Sequence, residues 1–514
     1  MNPKILICLL SLIVYFRAMA QEGSRPNVLI IYTDDHRYTG VHALGGQAVH
    51  TPNLDELAAS GMSFTRAYLM GSFSGATCIP SRAMLHTGRH LFSLEGIGHT
   101  IPPEHRTLGE AFMEAGYYAH FIGKWHQDFN SLARSFDSGG KLCGKPRYLT
   151  DQFRMPFSDW QADGAYTTEK AYLLEYNKEG DIVQRPLNPS DKRGPIGTEK
   201  TGPHVSNVLA DEAINFIQGY NETKPFFMYL AFPTPHDPRQ APVKYKEMYP
   251  EAEMELPPSY MAQHPFDNGH IVLRDELLAD WPRTPEIIQK HLSDYYAIIS
   301  HLDAQIGRVI DELKVRGVYD NTLIFMAGDS GLGVGNHGLL GKQNIYDEDG
   351  VHIPLIISGG VIRAENQGKR IDALCYIHDI MPTICEWVEI PIPKSVLGKS
   401  LVPVIEGEEE QIREYTYHAY RQHQRALRKG DYKLIEYVRA PDSDRKGGNF
   451  VAGSRVTQLF NLAEDPWEVL NLADFPEYKE RVSVMRQELK AVAQELGDVA
   501  DGERTRVDFW TYCK

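Results

Sequence analysis

The sequence predicts an α/β fold: a large domain built on a mostly parallel sheet sandwiched by helices, followed by a small α+β domain with an antiparallel sheet. Three observations predict it. Short runs that are apolar on both faces recur and end abruptly in polar residues, as strands of a helix-covered parallel sheet do. Segments of helical periodicity lie between these runs, and alternating strands and helices imply right-handed crossovers. Past Pro391-Ile392-Pro393 the pattern changes to closely spaced short strands and one terminal helix.

Val28-Leu29-Ile30-Ile31-Tyr32 runs into Asp34-Asp35, and residues 117–122 run through Gly123 into Lys124-Trp125-His126. Residues 226–232 lead into Pro233-Thr234-Pro235-His236, and residues 322–327 pass through Gly328 into Asp329. Ligands of open parallel sheets bind beyond the carboxyl ends of the strands, so these four polar clusters are expected to meet at one edge. Thr51 stands at a helix N-cap, with Pro52 in the first turn and Gly61 just past the end. Apolar residues at 288, 292, 295, 299, 302, 306, 309 and 313 mark one face of a long amphipathic helix, on which His291 and His301 read as structural.

Residues 129–204, rich in Gly, Pro and charge, read as a long insertion that either rims a pocket or decorates the surface. Residues 415–420, 432–437 and 458–462 read as strands and 478–496 as a closing helix. Residues 420–425, with Arg421 and His423, either border the pocket or form a solvated hairpin. The chain therefore divides into residues 1–20, 21–399 and 400–514.

Residues 1–20 differ from the rest. Lys4, an apolar run over 5–16 and Ala18-Met19-Ala20 ahead of Gln21 read as a secretory signal peptide. The run is short for a bilayer span and Arg17 interrupts it, so export to the periplasm or the extracellular space is expected, without a membrane span. Of 514 residues, 42% are hydrophobic and 24% charged, which excludes disordered and collagen-like classes. Lys plus Arg number 53 against 68 Asp plus Glu, a net charge of -15 that argues against a nucleic-acid partner. A local cationic pocket can still receive an anionic substrate. Apart from Cys8, the cysteines are Cys78, Cys143, Cys375, Cys385 and Cys513, too few for a disulfide scaffold; their pairing stays open.

The sharpest motif is Cys78-Ile79-Pro80-Ser81-Arg82, followed by Thr87-Gly88-Arg89. Pro80 suits a first helical turn, so Cys78 is expected at a helix N-terminus, where free N–H groups stabilise an anion. Alone, these residues leave open a reactive thiol and an inert cysteine at a helix start. Asp34-Asp35 and Asp329, each at a strand end, offer the oxygens a hard cation takes.

These motifs resemble the formylglycine-dependent (type I) sulfatases of the alkaline phosphatase superfamily, whose signature runs Cys-x-Pro-Ser-Arg, then Leu-Thr-Gly-Arg. The resemblance extends over residues 27–35, Gly123-Lys124-Trp125-His126, Pro235-His236-Asp237-Pro238 and Gly328-Asp329-Ser330-Gly331. It continues through His337-Gly338-Leu339-Leu340-Gly341-Lys342 and the small-domain segment Gln458-Leu459-Phe460-Asn461-Leu462, Glu464-Asp465-Pro466 and Asn471-Leu472. It implies an alkaline phosphatase-like fold and a sulfuric ester hydrolase. Cys78 would be oxidised to formylglycine by a separate formylglycine-generating enzyme. One calcium ion per chain would be held by Asp34, Asp35, residue 78, Asp329 and Ser330.

Arg82 and Lys124 would steady the formylglycine and sulfate oxygens, and Lys342 would reach the sulfate from the opposite side. His126 would act as the base that regenerates the aldehyde and His236 as the acid for the leaving group. Lys124, His236, His337 and Lys342 would contact substrate; for His337 a hydrogen-bonded pocket role is equally open. A sulfated carbohydrate is the expected substrate. The alternatives are a phosphodiester or phosphonate monoester hydrolase, and a non-catalytic glycan-binding protein should Cys78 escape oxidation. Three positions depart from the family pattern. Ser330 stands where Asn, His or Gln is usual, His86 where Leu precedes Thr-Gly, and His352 where Arg is common.

Overall fold

Asn27–Asp34 is buried along its whole length because its two faces enter different cores. Val28, Ile30 and Tyr32 pack into one with Met84 and Leu85, whereas Leu29 and Ile31 join Leu54, Leu57, Leu302 and Ile306 in another. That is why the run is apolar without alternation. The structure, a computed structural model, describes residues 25–144, 151–192, 194–439, 453–499, 509–511 and 513. The expected export segment, residues 1–20 with Cys8, lies outside the described residues.

The strands that position the site are β1 (Asn27–Asp34), β2 (Gly71–Ser72), β3 (Tyr118–Gly123), β4 (Phe226–Pro235) and β5 (Thr322–Gly328). The small sheet adds β6 (Tyr415–Tyr420), β7 (Gln424–Lys429), β8 (Tyr432–Arg439) and β9 (Ser454–Asn461). The helices that matter are α1 (Pro52–Ser60), α2 (Cys78–Thr87), α3 (Pro285–Val315) and α4 (Lys479–Leu496).

β1 lies between β4 and β5, with β3 beyond β4, all parallel; Ile30 stands opposite Tyr229 and Phe325. The four polar strand ends therefore do meet at one edge. The whole sheet has eleven strands and is mixed, which corrects the mostly parallel expectation. Its centre is parallel, but Leu355–Ser358 runs antiparallel to β5. On the far side Phe157–Ser158, Tyr172–Tyr176 and Ile182–Pro186 continue the sheet antiparallel. These last strands belong to the insertion, where short hairpins, and not helical crossovers, return the chain.

α1 begins at Pro52 as expected, yet Thr51 does not cap it. Its hydroxyl accepts from the His42 N–H (2.9 Å) and donates to Asp55 (3.1 Å). The cap comes from α3 instead: the Asp303 carboxylate accepts from the N–H groups of Asn53 (3.2 Å) and Leu54 (2.8 Å). α3 buries the predicted apolar face. Its His301 shares a 2.7 Å hydrogen bond with Asn207, and His291 accepts from Arg239 at 3.0 Å.

The small sheet runs β9-β8-β7-β6-β2, so one of its edges is a strand of the large domain. β2 lies parallel to β6, with Gly71 opposite Ala419. A side chain at Gly71 would meet the Ala419 carbonyl oxygen at 1.9 Å, so this approach requires glycine. A division at residue 400 is consequently bridged by hydrogen bonds. Strand β7 and its turn correct the solvated-hairpin alternative: Gln422, His423, Gln424 and Arg425 are all buried. Arg425 is accommodated by the Asp498 carboxylate at 2.5 and 3.1 Å. The cysteines at 78, 143, 375, 385 and 513 are all free and buried. Among the described residues no helix is long and apolar enough to cross a membrane.

A buried ionic cluster joins the domains. Asp347 accepts from Lys433 (2.5 Å), Arg428 (2.8 Å) and Tyr68 (3.0 Å), and Lys433 also reaches Glu468 (2.8 Å). Burial alone would raise the Asp347 carboxyl, but Lys433 and Arg428 hold it well below the usual carboxylate range. Removing one partner strands the others, which typically costs about 3–5 kcal/mol. Lys433→Met is therefore expected to lower the urea midpoint markedly; an unchanged midpoint would mean that the cluster contributes nothing to domain docking.

Candidate active site

Each strand end delivers one piece of the site. β1 ends in Asp34, and Asp35 follows with a left-handed backbone (φ 61°) that turns the chain away from the sheet. Gly123 closes β3 at φ 105°, where a side chain would meet the Ala231 carbonyl oxygen at 2.0 Å. Lys124 and Trp125 follow, then His126 at φ 77°. β4 leads to His236 and β5 to Asp329. Cys78 is the first residue of α2 and is 1% exposed.

The Cys78 Sγ lies 3.2 Å from His126 Nδ1 and 3.7 Å from Lys124 Nζ. Lys124 donates to Asp34 Oδ2, and Lys342 donates to Asp35 Oδ1. Asp329 accepts from the Asp35 N–H and from Arg82, both at 3.0 Å. Ser330 Oγ is 3.2 Å from Asp35 Oδ1, so its hydroxyl faces the acid cluster. Nine predicted residues thus converge: Asp34, Asp35, Cys78, Arg82, Lys124, His126, Asp329, Ser330 and Lys342.

Burial pushes the Cys78 thiol up to about 11, against the opposing pull of Lys124 and Lys342. It is protonated at neutral pH and is a poor nucleophile as a thiol. Burial and then Asp34 push Asp329 up to about 7. Asp34 shows the reverse balance: burial raises it, but Lys124 and His236 hold it well below the usual range. Asp34, Cys78 and Asp329 offer ligand atoms all within 4.8 Å of one another. Asp34 Oδ1 and Asp35 Oδ2 are buried acceptors without a hydrogen-bond partner. Unsatisfied buried carboxylate oxygens of this kind fit a hard divalent cation.

His236 lies at the margin of this cluster. Its Nδ1 donates to the Asp237 carbonyl at 2.6 Å, which leaves Nε2 facing inward, 3.7 Å from Asp35 Oδ2. Beyond Asp237 a cleft of about 460 Å³ is lined by Phe153, Gly197, Arg239, Lys246 and His291. Phe153 and Gly197 belong to the insertion, so that segment both extends the sheet and rims a pocket.

Arg82 lies beneath the acid cluster. Its guanidinium is fully buried, over the Tyr32 ring, and donates to Asp329, the Lys124 carbonyl and the Tyr229 hydroxyl. It fixes an acid and a backbone turn from one helical turn beyond Cys78. His337 takes the hydrogen-bonded role: its ring stacks on Tyr346 at 3.8 Å and Nε2 donates to the Glu468 carbonyl at 3.1 Å. His86 substitutes for a leucine by staying neutral, pushed down to about 3 by burial against Trp125 and Tyr229. His352 stacks on Tyr38 at 4.0 Å, outside the acid cluster.

Three residues went unread in the sequence. Arg274 donates to Asp237 (3.0 Å) and Asp275 (2.6 Å) and comes within 3.4 Å of His236 Nε2. Gln343 joins Asp275 (2.7 Å) to the Gly75 carbonyl (2.8 Å), just ahead of Cys78. Gln343 had the signal of adjacency to Lys342; Arg274 and Asp275 sit in a stretch without motif or periodicity.

A family model described as Sulfatase matches residues 26–390, and one for the N-sulphoglucosamine sulphohydrolase C-terminal region matches residues 335–495. An arylsulfatase of Clostridium perfringens is 27% identical, covering 90% of this chain and 93% of that protein. An N-acetylglucosamine-6-O-sulfatase of Bacteroides thetaiotaomicron is 24% identical over 99% of this chain and 94% of its own length. Among solved structures, a phosphonate monoester hydrolase of Agrobacterium radiobacter superposes with a TM-score of 0.69 at 21% identity, covering 92% of this chain and 96% of that one.

Proposed function

The chain belongs to the sulfatase family and hydrolyses sulfate esters; from that premise we propose that it is an exported enzyme releasing inorganic sulfate from a sulfated carbohydrate, with formylglycine at residue 78 and one calcium ion. The carrying observation is the convergence of Cys78, His126 and Lys124 on three buried carboxylates. The sugar substrate is supported by the Bacteroides relative, an N-acetylglucosamine-6-O-sulfatase by name. Export rests on residues 1–20, and a mature N-terminus at Gln21 is its test.

Asp34, Asp35 and Asp329 would hold the calcium, with Ser330 within reach, and the ion would supply hard Lewis-acid contacts to anionic oxygens. Formylglycine would supply an oxygen nucleophile in place of the protonated thiol. Around it, Lys124 and Lys342 bind sulfate oxygens, where fixed positive charge stabilises the transition state. Arg82 donates to Asp329 and orients it. His126 Nδ1, 3.2 Å from the residue 78 side chain, takes its proton.

His236 acts as the imidazolium: with its Nδ1–H anchored on the Asp237 carbonyl, it gives its Nε2 proton to the departing sugar oxygen and is left as the neutral ring. A sugar alkoxide needs that proton, and general acid help is typically worth about 10²–10⁴-fold. An aryl oxide needs little of it. His236→Ala is therefore expected to lose far more kcat/KM on a sugar sulfate than on nitrophenyl sulfate. Equal losses on both would overturn the acid assignment. Sulfate release from a panel of sulfated mono- and oligosaccharides, run beside an aryl phosphonate, tests the function. Faster turnover of the phosphonate would overturn it.

A further inference from the structure

On the basis of the sulfated-sugar reading above, we propose that Arg421 is an anion-recognition residue that selects sugars carrying a second acidic group besides the sulfate to be cleaved. Arg421 lies in the β6–β7 turn of the small domain, which packs against the segments that carry Cys78 and Lys342. Its N–H donates to the Ser72 carbonyl at 2.8 Å, six residues before Cys78 in the chain. Gln424, at the other side of the turn, donates to the carbonyl of Gln343 at 3.3 Å, and Gln343 follows Lys342. The ring of His270 would lie 3.7 Å from a side chain at Gly75. The turn thus abuts both the nucleophile loop and the Lys342 segment.

Arg421 is held in place without being neutralised. Its backbone is left-handed (φ 44°), a conformation a non-glycine residue keeps only where its surroundings fix it. Its Nη1 lies 3.2 Å from His270 Nε2. Arginine only donates, so that nitrogen accepts and the imidazole proton sits on Nδ1, 2.8 Å from the Tyr420 hydroxyl. His270 is then neutral: it aims the guanidinium but does not cancel its charge.

Among the described residues, three acids of this region are matched elsewhere. Asp498 is taken by Arg425, Asp267 by Arg439, and Asp275 by Arg274 and Gln343. Among the described residues no carboxylate pairs with Arg421, and its buried Nε has no partner. In a chain of net charge -15, a half-buried and uncompensated guanidinium is costly unless something anionic completes it. Its planar fork matches a carboxylate or a sulfate group. Arg274, by contrast, is already saturated by Asp237 and Asp275.

The test compares kcat/KM for sulfate release from three substrates: a monosulfated neutral sugar, the same sugar disulfated, and a monosulfated sugar linked to a uronic acid. Wild-type enzyme is expected to prefer at least one dianionic substrate by about tenfold or more, and which one distinguishes sulfate from carboxylate recognition. Arg421→Gln should lower the ratio of dianionic to monoanionic kcat/KM by roughly 10–100-fold, and Arg421→Lys by less. An unchanged ratio in Arg421→Gln overturns the subsite. So does a wild-type enzyme with no preference, whichever variants fold. A wild-type enzyme that releases sulfate from none of the sugars overturns the sulfated-sugar reading itself.

Discussion

Cys78→Ala is expected to lower turnover of every sulfate ester by roughly 10⁴–10⁶-fold, the scale on which loss of a nucleophile acts. The side chain stands where His126, Lys124 and the acid cluster all point, and no other nucleophilic group shares that position among the residues described at the site. Stability should change little, since removing one sulfur from a buried site deletes few contacts and no hydrogen-bonded pair of consequence. Circular dichroism and the melting temperature check that half. Mass spectrometry of the peptide containing residue 78 checks the chemistry: active enzyme should carry an aldehyde there. Full activity with an unmodified thiol, or an alanine variant that still turns over, would sink the assignment.

Exhaustive chelation should abolish activity by on the order of 10³-fold or more, and calcium should restore it, because a metal at such a site typically contributes several kcal/mol to the transition state. Asp34, Asp35 and Asp329 otherwise crowd negative charge beside an anionic substrate. The chelated protein should also show a characteristic pH dependence. Asp329 is raised to about 7 by burial and Asp34, so the metal-free fold binds a proton there that the unfolded chain releases near pH 4. Its contribution is present below that pH and is lost as pH rises towards 7. Metal-free protein should therefore melt lower at pH 8 than at pH 5, and saturating calcium should remove the difference by charging and pairing the carboxylate. Asp329→Asn should weaken calcium binding and flatten the profile. Activity surviving chelation, with metal content verified, would remove the cation from the mechanism.

Much of this site could be read from sequence because of where strands end. A run apolar on both faces fixes a buried parallel strand, and the first polar residues beyond it must lie at the sheet's edge. Asp34, Lys124, His236 and Asp329 each follow such a run. What escaped reading depends on contacts across the chain. Thr51 has the right identity for a cap, but Asp303, some 250 residues on, occupies that role from a neighbouring helix. Arg82 has the charge that the motif displays, but its bond to Asp329, made across 247 residues, is not legible in the sequence. Strand β7 was obscured because Arg425 and Arg428 look solvated until Asp498 and Asp347 arrive beside them. The antiparallel side of the sheet is hard to read because the hairpins of residues 157–186 lack clear alternation.

The pairing of β2 with β6 sets a clock. β2 lies directly ahead of the loop bearing Cys78, and its partner strand is made only after more than three hundred further residues have been synthesised. At ribosomal rates of about 5–20 residues per second, that leaves a window of about 20–70 seconds. Through this interval the Cys78 segment lacks the strand that later clamps it. Any enzyme that must grip and modify residue 78 has to finish before the C-terminal strands close over it, since in the finished fold the side chain is 1% exposed. Slowing synthesis between residues 90 and 410 should therefore raise the modified fraction, and rapid folding of the completed chain should lock any unmodified thiol in permanently.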